Sequence, residues 1–270
     1  MTTPKPNLSD EALVLAIRSN LCAFFRHFSR SMPDEPITNR RFTRWRSPIQ
    51  HPWFNGVLCS QPPADEDGAF LDEVVDYFRA KNTRAFTFWM EPHVASSAWE
   101  AALTKRGFGF SSDTPGMAMD LQSLEKSQTR IDGLDIRLVD DETLLRTWAE
   151  TFTQGYGLPF EWSGMIFDAW LALGLENPIR NHLGFLNGEP VATSTVFFGG
   201  GAAGIYDVAT VPNARGRGIG AAMTVHPLLE AREAGERMGV LQSSDMGFNV
   251  YKKIGFRHLC QIENFYYQLK

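Results

Sequence analysis

The residues best suited to chemistry in this 270-residue chain fall between positions 204 and 256. A run of β-formers, Gly204-Ile205-Tyr206-Asp207-Val208-Ala209-Thr210-Val211-Pro212, leads into Arg215-Gly216-Arg217-Gly218-Ile219-Gly220 and then a helical pattern. This order predicts a strand, a loop nearly free of side chains, and a helix start. Amide N–H groups at a helix N-terminus lack intrahelical partners and carry the positive end of the helix dipole, so they suit a pyrophosphate. Glycines let phosphate oxygens reach the amides, and the arginines can add charge-assisted contacts. The Rossmann fingerprint and the P-loop are both excluded, because no third glycine stands at 221 or 223 and no Gly-Lys-Ser/Thr is present.

A second segment narrows the ligand. Val240 to Ser244 reads as a short strand, and Asp245 to Phe256 as a short helix that ends at Gly255. Arg215, Gly218 and Gly220 fit the pattern Arg/Gln-x-x-Gly-x-Gly/Ala, and Tyr251, Lys253, Gly255 and Phe256 fit a tyrosine followed by Lys-x-Gly-Phe. In this order and spacing, the pair resembles the GCN5-related N-acetyltransferase (GNAT) family. The resemblance implies acetyl coenzyme A as co-substrate and direct attack of an amine on its thioester. It places the coenzyme against Ala209, Thr210 and Val211, against the loop Arg215, Gly216, Arg217, Gly218, Ile219, Gly220 and Ala221, and near Ser244, where many relatives carry asparagine.

The same resemblance makes Tyr251 the acid, or the hydrogen-bond donor, for the departing thiolate. A phenol with a pKa near 10 is a poor acid toward a thiolate near 8.5 unless the site shifts those values. Asp207 and Glu161 are the carboxylates that could serve as general base. His226 reads by default as a packed helical histidine. Pro227 predicts a kink or break near 223 to 227. An acyl-CoA binding or sensing module without turnover is the alternative reading.

The elements that must position these residues repeat. Residues 8 to 30 read as an amphipathic helix. Strands at 41–49, 54–61, 85–90 and 116–121 alternate with helices at 68–80 and 99–106. In the second half, strands follow at 134–139, 181–186 and 191–198, with helices at 142–152 and 160–173, and Asn187-Gly188 predicts a hairpin. Lys105-Arg106-Gly107-Phe108 parallels the Gly255-Phe256 end, but Gln61-Pro62-Pro63-Ala64-Asp65-Glu66-Asp67-Gly68 stands where a coenzyme loop is expected. Prolines lack N–H donors, and three carboxylates repel a pyrophosphate. The expectation is an α/β (α+β) chain of two tandem GNAT-like units, each a mixed, mostly antiparallel sheet flanked by helices. Residues 1–122 form a degenerate unit, 123–133 a linker, and 134–270 the coenzyme-binding unit.

Composition sets outer limits. The apolar fraction of 43% supports a substantial core. The net charge of −5 lies in the second half, where residues 131–270 hold 11 basic and 16 acidic side chains, so a nucleic-acid face is not expected. Three scattered cysteines suggest neither a disulfide framework nor a zinc site, and no metal is expected. No stretch is apolar enough for a membrane span, which points to a cytoplasmic protein without membrane partners. The expected partner is a small-molecule amine. Tyr156, Phe160, Trp162, Phe167 and Trp170 crowd the helices that would line its site, and the state is monomer or homodimer.

Overall fold

The computed structural model describes residues 8–32, 37–38, 41–61, 68–125 and 130–269. The acidic, proline-bearing stretch lies outside them from 62 to 67, as does part of the expected linker. Two compact units are present. The first gathers the described residues of Met1–Leu21 with Pro115–Phe160 and Leu175–Cys260; the second gathers those of Cys22–Thr114 with Glu161–Gly174 and Gln261–Lys270. These groupings cut across the expected halves 1–122 and 134–270, for a reason visible in the strand pairing.

In the second unit, β1 (Ile37–Thr38), β2 (Phe42–Arg46), β3 (Asn55–Cys59) and β4 (Ala85–Met90) pair in that order. The far edge of β4 takes β11 (Arg257–Gln268) antiparallel, with Glu263 opposite Met90 and Gln268 opposite Ala85. The one parallel pair among the described residues of this unit, β3 with β4, is bridged by α2 (Ala69–Ala80). Leu71, Val74, Val75 and Phe78 of α2 enter a core with Phe86, Phe88 and Phe265. Next along the chain, α3 (Ser97–Lys105) starts where the Ser96 hydroxyl accepts from the Trp99 N–H.

The first unit repeats that plan. Its strands run in the order β5 (Gly109–Asp120), β10 (Met238–Gln242), β9 (Ala202–Thr210), β8 (Glu189–Gly199), β7 (Ile179–Leu186) and β6 (Leu134–Leu138). Again one pair, β9 with β10, is parallel and is bridged by a helix, α6 (Ile219–Glu233). The C-terminal strand therefore completes the N-terminal sheet, while the end of β5 completes the C-terminal one. Each pairing satisfies a row of backbone groups that would otherwise lie open at a sheet edge.

Helix α1 (Asp10–Phe28) is divided as well, since its residues up to Leu21 belong to the first unit. Buried Asn20 explains the allegiance. Its amide donates to the carbonyls of Gly199 at 2.8 Å and Ala202 at 3.0 Å, and its Oδ1 accepts from the Tyr206 hydroxyl at 2.8 Å. A Cβ at Gly204 would lie 1.9 Å from that Oδ1, so only glycine fits there.

Most sequence expectations hold within a few residues. Asn187 and Gly188 both take positive φ, 52° and 89°, as the hairpin between β7 and β8 requires. Strand β5 is longer than the expected 116–121, and β11 follows the Gly255-Phe256 end. Pro227 does not break α6, which is continuous from Ile219 to Glu233. Buried Met223, Thr224, Val225, Leu228 and Ala231 hold the helix against the sheet, and tertiary packing of this kind offsets one missing hydrogen bond. The three cysteines are free thiols.

Candidate functional site

Strand β9 carries the site because its pairing changes along its length. Toward β8, Thr195 faces Tyr206 but Thr193 faces Ala209, so Asp207 and Val208 together oppose Ser194. That is a β-bulge, and Asp207 adopts a left-handed φ of 54° within it. Toward β10, parallel pairing runs only from Ala203 to Ile205. Beyond Ile205 the two strands part, leaving one edge of residues 206–210 without a strand partner among the described residues.

The donors on that edge follow from strand alternation. The Val211 N–H donates to the Val191 carbonyl at 2.9 Å, so Val211 and Ala209 face β8. The backbone of Thr210 faces the open edge instead. Of the three residues expected to offer amides to a coenzyme arm, Thr210 turns its N–H to the open edge, whereas the Val211 N–H is bonded within the sheet. Helix α4 (Glu142–Tyr156) approaches this strand closely at Gly155, where an added Cβ would lie 2.7 Å from the Ala209 Cβ and 3.4 Å from the Thr210 nitrogen.

Past β9, a 3-10 turn over Pro212–Ala214 leads to the glycine loop. Gly216 and Gly218 have φ of 76° and 80°, conformations open to glycine at little cost. Gly218 caps α6 without any side-chain hydrogen bond, so the N–H groups of Ile219, Gly220 and Ala221 remain available at the positive end of the helix dipole. Arg217 is exposed beside them. Arg215 makes two contacts within the protein. Its guanidinium donates to the carbonyls of Gly155 at 2.7 Å and Thr210 at 3.0 Å, tying the C-terminal end of α4 to the end of β9. The last carbonyls of a helix lack partners and attract cations, which accounts for the choice.

Asp207 is half-buried, and its Oδ2 has no hydrogen-bond partner among the described residues. Burial pushes its pKa up to about 7, against a hydrogen bond with Thr195 that pulls it down. Burial likewise raises Tyr251 to about 12, opposed by a hydrogen bond with Thr224. Tyr251 sits on α7 (Asp245–Ile254), its ring edge-on to Phe256. A third group, Tyr156 at the end of α4, directs its hydroxyl to the Val208 carbonyl at 3.4 Å. Desolvation, followed by the charges of Asp207 and Tyr251, holds the Tyr156 pKa well above that of an ordinary phenol. The bulge therefore brings together one carboxyl that titrates near neutrality and two phenols that stay protonated.

Other expectations fare differently. Ser244 is the N-cap of α7, where its hydroxyl accepts from the Gly247 N–H at 3.3 Å. Its side chain has local work that any cap residue would perform. Glu161 lies in a 3-10 turn, Phe160–Trp162, and is grouped with the second compact unit, whereas Asp207 is grouped with the first. Phe167 and Trp170 are buried on α5 (Ser163–Leu173), and the ring of Trp162 lies 5.8 Å from that of His51, so packing accounts for these aromatics. His226 meets the Glu230 carboxylate at 3.2 Å, and Glu230 also meets His182 at 3.0 Å. Those two hydrogen bonds hold the Glu230 carboxyl well below the usual carboxylate range.

Sequence reasoning placed Tyr156 among the acceptor aromatics and did not see it as a neighbour of Asp207. The signal, an aromatic one residue after a helical glycine, has meaning only once that glycine is seen against β9.

This fold, with its parted parallel strands and glycine loop, is that of the GNAT acetyltransferases. Residues 201–259 match the family model described as an acetyltransferase (GNAT) domain. A GCN5-related N-acetyltransferase from Kribbella flavida superposes with a TM-score of 0.69 at 16% identity, covering 93% of this chain and 94% of that one. A functionally unknown conserved protein from Staphylococcus epidermidis gives a TM-score of 0.66 at 15% identity, over 88% and 96% of the two chains. A tandem GNAT protein from the clavulanic acid biosynthesis pathway aligns over 96% of both chains, with a TM-score of 0.55 and 11% identity. The chain thus has a tandem GNAT fold, with the matched family segment in its C-terminal half. A sequence search of curated proteins found no match. Among the described residues, no helix is long and apolar enough to cross a membrane.

Proposed function

We infer that the protein is an N-acetyltransferase that uses acetyl coenzyme A and a small-molecule amine. The observation that carries this reading is the parting of β9 from β10 just past Ile205, beside the uncapped N-terminus of α6. An open strand edge and a row of amides at a helix start suit a ligand that is an extended amide chain at one end and a pyrophosphate at the other. When bound, acetyl coenzyme A would supply the thioester that the amine attacks.

The chain's own residues divide the remaining work. Amides from Gly216 to Ala221, with Arg217 at their margin, hold the pyrophosphate. The Thr210 N–H and the open edge of β9 align the arm. Arg215 keeps α4 and β9 in register and leaves anion binding to its neighbours. Asp207, titrating near 7, takes the proton of an incoming ammonium, because a base matched to working pH combines availability with driving force. Tyr251, pushed to about 12, is a hydrogen-bond donor to developing negative charge on sulfur and not a proton source. The acidic balance of residues 131–270 suits a cationic acceptor.

The test is a panel of amines read by release of free thiol, run on the wild type and on Arg217→Glu. All activities should fall together in the variant as coenzyme affinity falls. Tight coenzyme A binding with no thiol release from any amine would replace the enzyme with an acyl-CoA sensing module. A loss of both binding and release in the wild type would remove coenzyme A from the reading.

A further inference from the structure

Away from the bulge, α6 and β7 bring three metal-ligating groups together. His226 and Glu230 lie one turn apart on α6, and His182 projects from β7, fully buried. The His182 Nε2 is 3.0 Å from one oxygen of Glu230, and the His226 Nε2 is 3.2 Å from the other. The two rings are 5.7 Å apart between centroids, and the three ligand atoms lie within 4.8 Å of one another. His226 and Glu230 are 35% and 37% exposed, so the cluster has one buried wall and one wet mouth.

The geometry points to a site for one divalent transition-metal ion of the zinc class, held by His182, His226 and Glu230 with water in the fourth position. Zinc takes imidazole nitrogen and carboxylate oxygen at about 2.0–2.2 Å, which puts neighbouring tetrahedral ligands roughly 3.3–3.5 Å apart. The two nitrogen–oxygen separations are already within a few tenths of an ångström of that span, and only the two imidazoles must close toward each other. Glu230 supplies negative charge while both imidazoles bind neutral. Borderline-soft ions prefer this donor set, and magnesium or calcium would want more oxygen.

The competing account, a carboxylate bridging two imidazoles by hydrogen bonds, uses the same contacts without an ion. It leaves the buried Nδ1 of His182 without a partner among the described residues. For a metal site that vacancy means the ligand is not oriented from behind, a deficit that typically costs about 10–100-fold in affinity. The site therefore belongs to the class of moderate binders. Its effect would be to pin α6, whose first turn carries the glycine loop, to β7.

The experiment uses the full chain, without a histidine tag, after chelator treatment and dialysis. Zinc is followed by calorimetry, and cobalt by its visible absorption, which reports coordination geometry. Wild type is expected to bind one ion per chain, with a Tm that rises as the site saturates. His226→Gln and Glu230→Gln, both at the wet mouth, should keep the metal-free fold by circular dichroism and each bind at least about tenfold more weakly. Binding that is undiminished in both variants, or no binding by wild type at a large molar excess of zinc, would overturn the site. His182→Gln is left aside because a fully buried position confounds binding with folding.

Discussion

Arg215 donates to the carbonyl of Gly155 at 2.7 Å, so the first arginine of the glycine loop is bound to the end of α4. Its Nε reaches the Thr210 carbonyl as well, at 3.0 Å. On the proposed function, two arginines separated by one residue have different tasks, and substitution separates them. Arg215→Ala should lower stability by about 1–3 kcal/mol, toward the low end because the group is partly exposed. Arg217→Glu should leave the Tm nearly unchanged and raise the KM for acetyl coenzyme A at least about tenfold. Chemical denaturation and KM measured on both variants check the split, and an exchange of the two phenotypes would reverse the assignment.

Gly155 faces a similar constraint from the other side. Gly155→Ala would place a Cβ 2.7 Å from that of Ala209, and backbone must move to admit it. Overpacking of this kind costs about 1–3 kcal/mol. Because the shift falls beside Thr210, coenzyme affinity should fall with stability, which isothermal titration would show. A variant with full affinity would mean that the Thr210 amide plays no part in binding.

Asp207 gives the pH dependence. Its pKa is raised in the folded protein to about 7, above the unfolded carboxylate near 4. The neutral form is the one the fold prefers, so its stabilising contribution is complete below about pH 4 and is lost as pH rises through about 7. Relative to Asp207→Asn, the wild-type Tm should therefore decline between pH 4 and 7 and run parallel above. Turnover should show the opposite trend, since the base works ionised: a limb rising through about pH 7 in wild type, and none in Asp207→Asn. A rising limb that persists in the variant belongs to another group or to the amine itself.

Tyr251 should contribute no titration near neutrality, because burial holds it at about 12. Tyr251→Phe should lower kcat by about 10²-fold, the usual loss when one donor to developing charge is removed, with KM for the coenzyme little altered. Unchanged turnover with every accepted amine would take Tyr251 out of the reaction.

Ser244 is expected to matter to the helix and not to the coenzyme. Ser244→Ala should cost about 1 kcal/mol as a lost N-cap, and Ser244→Asp should restore it. Thermal denaturation of the two variants, with coenzyme affinity measured alongside, distinguishes this from a ligand contact.

Much of the fold was legible because its signals are local. Glycines at 216 and 218 mark the loop, and Asn187-Gly188 marks a hairpin. The apolar periods of α2 and the β4 run needed no partner to be recognised. Position 207 was legible only as an acid in a strand. Its left-handed φ and its place in a bulge depend on how Thr193 and Thr195 pair across to β9, which no local pattern records.

The sequence alone determined the order of elements, the glycine loop and the likeness of its two halves to one another, since each rests on short-range preference or on residue spacing. Tertiary structure decided which strand closes which sheet, which arginine is tied to the end of α4, and which phenol shares burial with Asp207. Those outcomes hinge on unpaired backbone edges and desolvated side chains finding partners far along the chain, as β11 does at β4 and Asn20 at Ala202. A hydrogen-bonding group is encoded at its own position, but its partner is fixed only by what folding leaves unsatisfied nearby.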